Sequence, residues 1–127
     1  MAVFLESDGW MFLAIARSDG AGLRAFVAAA DHINCAIPLE EEIAGAVSRL
    51  RAAGLVSEKL GTFHLTPSGD AIFACAGGSP APPRSQFKVT ARELAKLSVP
   101  TNPEPYSLDQ SLYKAAVAQY SKSMRGN

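Results

Sequence analysis

The sequence predicts a mainly α-helical fold: a three-helix core with a short β-hairpin, followed by a helical C-terminal appendage. Apolar residues recur every three to four positions in two successive segments of the first half, which is typical of helices that bury one face, and a nearly continuous apolar segment precedes them. Gly54 directly follows the third segment and precedes the stretch 55–66, which predicts a helix end and then two short strands. The run 77–83 is rich in glycine and proline, and two helix-capping patterns follow it.

Composition places the chain among globular proteins. Its 127 residues suit one domain, and 48% of them are hydrophobic, which is enough for a core and too many for a disordered chain. The apolar run 10–16 is too short to span a membrane, and Glu6 and Asp8 stand where a signal peptide needs positive charge. We therefore expect a cytoplasmic protein without membrane contact, in which Cys35 and Cys75 are reduced.

Charge is unevenly distributed, although the formal net charge is zero. Residues 1–78 hold five basic and nine acidic groups, whereas residues 79–127 hold seven basic and three acidic groups. The two parts therefore carry opposite net charges. Such asymmetry indicates that the tail docks on the domain or that it meets an acidic partner.

The first two helices are predicted on either side of a glycine-containing turn. Ser7 or Asp8 can cap the first helix, whose apolar residues nearly surround it, so this helix should be central to the core. The second helix should begin near Ala21 and end near Asn34, because asparagine tolerates the left-handed conformation that ends helices. Pro38 prevents a helical conformation in the residue before it and so separates the second helix from the third.

The third helix is predicted at Leu39–Ala53 and the hairpin at Leu55–Thr66. Apolar residues at three-and-four spacing line one face of this helix, and Gly54 supplies the left-handed conformation that ends it. Thr66 then caps a fourth helix with its hydroxyl group, and Pro67 occupies the first helical position, where proline is favoured.

Two stretches of this region carry a resemblance to a known superfamily. They are Ser48–Val56, which reads SRLRAAGLV, and Phe63–Gly69, which reads FHLTPSG. A helix, a Gly-Leu-Val step, a short hairpin and Thr-Pro-x-Gly in this order resemble the second half of a winged helix-turn-helix domain, found in many small bacterial transcription regulators. The resemblance implies a winged-helix domain at residues 1–76 with the hairpin as its wing. It implies the fold more firmly than the function, because this scaffold serves both DNA binding and protein contacts.

The rest of the chain is predicted as a Pro/Gly linker, residues 77–84, and a helical appendage, residues 85–127. Thr90-x-x-Glu93 is a capping box that predicts a short helix, and Ser107-x-x-Gln110 predicts the start of a longer last helix. About forty residues cannot build a core of their own. We therefore expect the last helix to dock, either on its own domain or on a second copy.

The last helix is the predicted docking or dimerisation element. A helix of about fifteen residues is marginal in water unless its apolar face is buried. Closed two-fold pairing is the commonest oligomer, so a homodimer is slightly favoured over intramolecular docking. The interface candidates are the apolar and aromatic residues of this segment: Leu108, Leu112, Tyr113, Ala116, Tyr120 and Met124.

The nucleic-acid candidates are a serine and three cations in the third helix and the wing: Ser48, Arg49, Arg51 and Lys59. The same helix opens with three glutamates, residues 40–42, which favour the helix dipole but would repel a phosphate backbone. Cations near them are few. We therefore expect a regulatory or adaptor module that acts mainly through protein contacts with an unknown partner. The alternative is a DNA-binding transcription regulator that uses the helix Leu39–Ala53 and the wing.

No catalytic site, metal site or cofactor is predicted. His32 and Cys35 stand three positions apart, but zinc sites usually show paired ligand clusters at both ends of a loop. The sequence contains no glycine-rich phosphate loop, nucleophile elbow or paired-carboxylate arrangement. We therefore expect a non-enzymatic protein.

Overall fold

The computed structural model describes residues 3–76, 83–100 and 102–124. Within these ranges the chain forms six helices and one two-stranded antiparallel sheet. The elements are α1 (Glu6–Ser18), α2 (Leu23–Asn34), α3 (Glu40–Ala52), β1 (Val56–Lys59), β2 (Thr62–Leu65), α4 (Pro67–Cys75), α5 (Pro83–Ala95) and α6 (Gln110–Met124). The predicted mainly helical fold with a small hairpin is confirmed. No helix in these ranges is long and apolar enough to cross a membrane. Residues 77–82 of the predicted linker lie outside the described residues.

Helix α1 is the centre of the core, as its apolar sequence predicts. All five side chains from Met11 to Ile15 are fully buried. Helices α2, α3 and α5 pack around α1, so residues from both halves of the sequence share one core. Helix α1 is apolar nearly all round, so neighbours on several sides are needed to remove its surface from water.

Helices α1 and α3 start in the same way, and both differ slightly from the prediction. The residue before α1 is Leu5, which has no side-chain acceptor, and the Asp8 carboxylate accepts a hydrogen bond from the Leu5 backbone N–H at 2.8 Å. At α3 the Glu42 carboxylate likewise accepts the Leu39 N–H at 2.9 Å. The predicted caps Ser7 and Asp8 thus lie inside α1, and an acidic residue in the first turn does the capping.

The hairpin turn is a two-residue loop, Leu60-Gly61. Both residues have positive φ angles, 53° and 81°, which fits the right-handed twist of the paired strands. Val56 pairs with Leu65 and Lys59 with Thr62. Leucine rarely adopts a positive φ, and the Leu60 side chain is almost fully exposed at the tip.

The Thr-Pro-x-Gly motif closes the hairpin for a steric reason as well as a polar one. The Thr66 hydroxyl oxygen accepts the Gly69 N–H at 3.1 Å, which confirms the predicted cap of α4. A Cβ atom at Gly69 would lie 2.1 Å from the carbonyl oxygen of Leu55. Glycine is therefore required here, because α4 lies directly against the backbone of Leu55, which connects α3 to the hairpin.

Helix α5 is an integral part of the core. It runs without a break from Pro83 to Ala95, so the helix start predicted at Thr90 is wrong. Thr90 lies inside the helix and donates its hydroxyl proton to the carbonyl oxygen of Gln86 at 2.7 Å, a bond that threonine can make within a helix instead of capping its end. A Cβ atom at Gly9 would lie 2.9 Å from the Cα of Ala91, so α1 and α5 approach at backbone distance.

Helix α6 packs against α2 of the same chain. Ala116 and Tyr120 are buried in this contact, and the Tyr120 hydroxyl donates a hydrogen bond to Asp31 at 2.5 Å. The helix begins at Gln110 and is capped by Asp109, which accepts the N–H groups of the two residues after Gln110 at 2.8 and 3.1 Å, instead of by the predicted Ser107. Intramolecular docking is thus the arrangement in the structure, and pairing with a second copy stays a prediction.

Candidate interaction surface on helix α3 and the hairpin

Arg49 is turned toward the interior. Its Nε and Nη2 atoms lie 2.7 and 2.8 Å from the two carboxylate oxygens of Asp8. The Asp8 side chain is fully buried, whereas the Arg49 side chain is 23% exposed. A two-point pair of this kind fixes both distance and orientation, so it holds α3 against α1. Arg49, a predicted nucleic-acid contact, therefore forms a structural ion pair with Asp8 instead of facing outward as a free cation.

Ser48 is engaged by the C-terminal part of the chain. Its hydroxyl donates to the carbonyl oxygen of Ala44 at 2.7 Å and accepts the backbone N–H of Tyr106 at 2.7 Å. Glu104 lines a shallow depression together with Ser48 and Arg51. We call residues 104–106 the cover segment, because Glu104 and Tyr106 lie beside Ser48 and Arg51 of α3.

The Tyr106 ring anchors the cover segment. Its edge meets the ring of Phe63 with centroids 5.7 Å apart and planes at 80°. The guanidinium carbon of Arg51 lies 5.6 Å from the Tyr106 ring centroid, a cation–π distance. Burial, and after it the charge of Glu58, raises the pKa of the Tyr106 hydroxyl, while Arg51 acts in the opposite direction. The cover segment thus contacts α3 and the hairpin together.

The four nucleic-acid candidates do not form one open cationic surface. Ser48 and Arg51 both contact the cover segment, and Arg49 pairs with Asp8. Lys59 lies apart on the exposed edge of β1, where its carbonyl oxygen accepts the hydroxyl proton of a neighbouring threonine.

The first turn of α6 closes over the acidic start of α3. The Tyr113 hydroxyl donates a hydrogen bond to the carbonyl oxygen of Pro38 at 2.7 Å. Burial raises the pKa of Tyr113, and the nearby charges of the glutamates at positions 40–42 raise it further. The start of α3 is therefore held by α6 as well as by its own capping carboxylate.

The six interface candidates of the C-terminal part divide between inside and outside. Ala116 and Tyr120 are buried, and Leu108 and Tyr113 are half-buried against the core. The remaining two, Leu112 and Met124, are exposed. The helical stripe that the sequence predicts therefore serves mostly for docking within the chain.

A groove separates the hairpin turn from the C-terminal part of the chain, and sequence reasoning did not anticipate it. Its walls come from the start of α2, the turn Leu60-Gly61 and residues 106–119. Its volume is about 570 Å³. The sequence held one indication of the groove. Leu60 occupies a turn position that is usually taken by asparagine, aspartate or glycine, and it lines the groove.

A second surface lies where the start of α1 meets α5. Val3 and Leu5 are exposed on either side of the buried Phe4. Leu5 shares a shallow depression with Lys88 and Arg92, two exposed cations one helical turn apart on α5. Apolar and positively charged groups are thus adjacent here.

Cys35 and Cys75 are free and exposed. Among the described residues, no group of three or more histidine, cysteine, aspartate or glutamate side chains is placed to hold a metal ion. Cys35 has a left-handed backbone, with φ 53°, and so ends α2 at the predicted Asn34.

Comparison with models of known protein families, with curated proteins and with solved structures finds no match to this chain. Its function must therefore be inferred from the contacts of α3, the hairpin, α5 and α6.

Proposed function

We propose that this chain is a non-enzymatic regulatory or adaptor module of the winged helix-turn-helix type that acts mainly through protein contacts. The order α1, α2, α3 and then the antiparallel hairpin supports the winged-helix assignment, with β1 and β2 as the wing. The three buried polar side chains of the described core, Asp8, Gln86 and Thr90, all bond to other parts of the protein. Asp8 and Gln86 join different helices and Thr90 bonds within α5, so the proposal assigns no reaction to them.

The observation that carries the proposal is the contact of Tyr106 with Ser48 and Arg51 on α3. A helix-turn-helix protein reads DNA by placing its recognition helix in the major groove, where base edges must be accessible to its side chains. Here Ser48 accepts a hydrogen bond from Tyr106, and Arg51 lies against the Tyr106 ring. A DNA duplex would have to compete with Tyr106 for these two side chains, which are half-buried.

The charge around α3 also favours protein over DNA. The first turn of α3 consists of Glu40, Glu41 and Glu42. Arg49 is paired with Asp8, so its charge is already neutralised within the protein. Non-specific attraction to DNA depends on a field of free lysine and arginine side chains, and carboxylates weaken that field.

The surface at Val3 and Leu5 supports a protein partner. Exposed apolar side chains next to one another mark interaction sites more often than single ones do. Lys88 and Arg92 beside Leu5 would meet acidic groups on the partner, in agreement with the positive charge of residues 79–127. The partner surface proposed is therefore apolar at its centre and acidic at its edge.

A photo-crosslinking amino acid in place of Leu5 tests this surface in the full chain. Leu39 is the matched control, because it is exposed to a similar extent, 55% against 52%, and is followed by glutamates. We expect a discrete adduct in cells from position 5 that disappears with Lys88→Glu, and none from position 39.

A mobility-shift assay at low salt with genomic fragments tests the competing function. We expect no sequence-specific shift with the full chain. A specific, salt-dependent shift that Arg51→Ala and Lys59→Ala weaken would reverse the proposal in favour of a DNA-binding regulator.

A further inference from the structure

The groove beside the hairpin has the size and lining of a small-molecule site. Its volume of about 570 Å³ falls within the range of about 300 to 1,000 Å³ that is usual for ligand pockets. Its surface is mostly apolar, and three separate segments of the chain supply its leucine and alanine side chains. The apolar residues of the lining are Ala21, Leu23, Leu60, Leu108, Leu112, Ala115 and Ala116.

Three charged side chains line the groove, and two of them already have partners. Glu58 accepts the backbone N–H of Gly61 at 2.9 Å and so stabilises the hairpin turn. Asp109 accepts two backbone N–H groups at the start of α6. Arg24 makes neither an ion pair nor a side-chain hydrogen bond with any of the described residues. Arg24 is therefore the cation of the lining that is available to pair with a ligand, and Glu58 and Asp109 keep their negative charges beside it.

The position of Arg24 also favours an anion. It lies in the first turn of α2, next to Gly22 and Leu23, which line the same end of the groove. Gly22 has no side chain that could cap the helix, and a Cβ atom built there would meet no atom within 4 Å. The positive end of the helix dipole adds to the charge of Arg24 at this end.

We propose that this groove binds a small molecule with an aliphatic or aromatic body and a single carboxylate. The carboxylate pairs with Arg24, whose planar guanidinium offers two parallel hydrogen bonds to such a group. The apolar body lies along Leu108 and Leu112 and removes their surface from water. This inference goes beyond the proposed protein contacts, which involve a different surface, at Leu5.

Binding of octanoate to the full chain, followed by two-dimensional NMR, tests the proposal. 1-Octanol and n-octylamine have the same apolar body and differ only at the polar end. We expect octanoate to shift the resonances of Ala115 and Ala116 and to bind about 10-fold more tightly than 1-octanol, as a charge-assisted hydrogen bond allows. Arg24→Gln should remove that 10-fold advantage, whereas Lys59→Gln, which removes a cation outside the groove lining, should keep it.

A filled groove provides the second variant. Ala115 is exposed and lines the groove, whereas Ala118 is exposed on the same helix and does not line it. Ala115→Trp should abolish octanoate binding while the fold is retained, and Ala118→Trp should leave it unchanged. Tighter binding of n-octylamine than of octanoate would show that Glu58 and Asp109 decide the charge preference, and it would overturn the proposal. So would the absence of octanoate binding, or binding that Arg24→Gln leaves unchanged.

Discussion

Arg49 of α3 donates hydrogen bonds to both carboxylate oxygens of Asp8 in α1, a residue 41 positions earlier in the sequence. Asp8 accepts a third hydrogen bond from the Leu5 N–H, so a single buried carboxylate joins the start of α1 to the last turn of α3. The carboxylate is fully buried, whereas the arginine retains partial access to water. Loss of Arg49 would therefore leave a buried unpaired carboxylate, whereas loss of Asp8 would leave an arginine that can reach water.

Removal of the arginine should cost more stability than removal of the acid. Arg49→Met leaves the Asp8 carboxylate buried without its cation, and we expect the free energy of unfolding to fall by about 3 to 5 kcal/mol. Asp8→Asn leaves an arginine that can turn toward water, so the loss should be smaller. Urea unfolding measures both values, and a larger loss for Asp8→Asn would contradict this assignment.

Gly69 should be intolerant of any side chain. Gly69→Ala brings a methyl group against the Leu55 carbonyl oxygen, a backbone atom that cannot move without shifting the hairpin. We expect a loss of about 1 to 3 kcal/mol, as is usual for overpacking. Ser68→Ala is the matched control, because Ser68 is exposed in the same turn of α4. Equal stability of the two variants in thermal or urea unfolding would show that α4 does not pass so close to Leu55.

The Tyr120 contact should make stability sensitive to strongly alkaline pH. The hydrogen bond to Asp31, together with burial and the Asp31 charge, raises the pKa of Tyr120 to about 12, from 10.0. Because the folded state favours the neutral hydroxyl, the stabilisation is complete below pH 10 and disappears as the pH rises to about 12.

Tyr120→Phe isolates this contribution. The difference in unfolding free energy between wild type and variant should be about 1.5 kcal/mol at neutral pH, the lower end for a hydrogen bond to a charged group. It should shrink between pH 10 and pH 12. A difference that stays constant over this interval would mean that Tyr120 does not donate to Asp31.

Truncation should distinguish the contributions of α5 and α6. A chain cut after residue 78 loses Leu94 and Thr90, which are fully buried, and we expect it not to unfold cooperatively. A chain cut after residue 100 retains α5 and should fold with lower stability than the full chain. Calorimetry with light scattering checks both, and equal melting temperatures of the full chain and residues 1–78 would contradict the shared core.

The elements that the sequence predicts well are determined by residues close to one another in the sequence. The apolar run 11–15, the stop at Gly54 and the pair Thr66-Pro67 all act within one helical turn, so their effects on the backbone can be derived from local geometry. The same reasoning misplaced a helix start at Thr90, because threonine can bond to the backbone both inside a helix and at its end.

The candidate surfaces depend on contacts between distant residues. Tyr106 bonds to Ser48 across 58 residues, and this pairing leaves no periodic signal in the sequence. Ser48 and Arg51 therefore look like open helix positions until the cover segment is in place. Charge alone gave a partial indication, since the positive tail was expected to dock on the negative domain or to meet an acidic partner.

The cover over α3 is tested most directly by hydrogen exchange of the Tyr106 amide in the full-length protein. Its N–H donates to the Ser48 hydroxyl oxygen, so we predict slow exchange in the wild type and much faster exchange in Ser48→Ala. The Phe12 amide in the buried centre of α1 should stay equally protected in both proteins, which shows that the fold is intact. Exchange of the wild-type Tyr106 amide at the rate of an unfolded chain would contradict the covered surface and would leave α3 open to DNA.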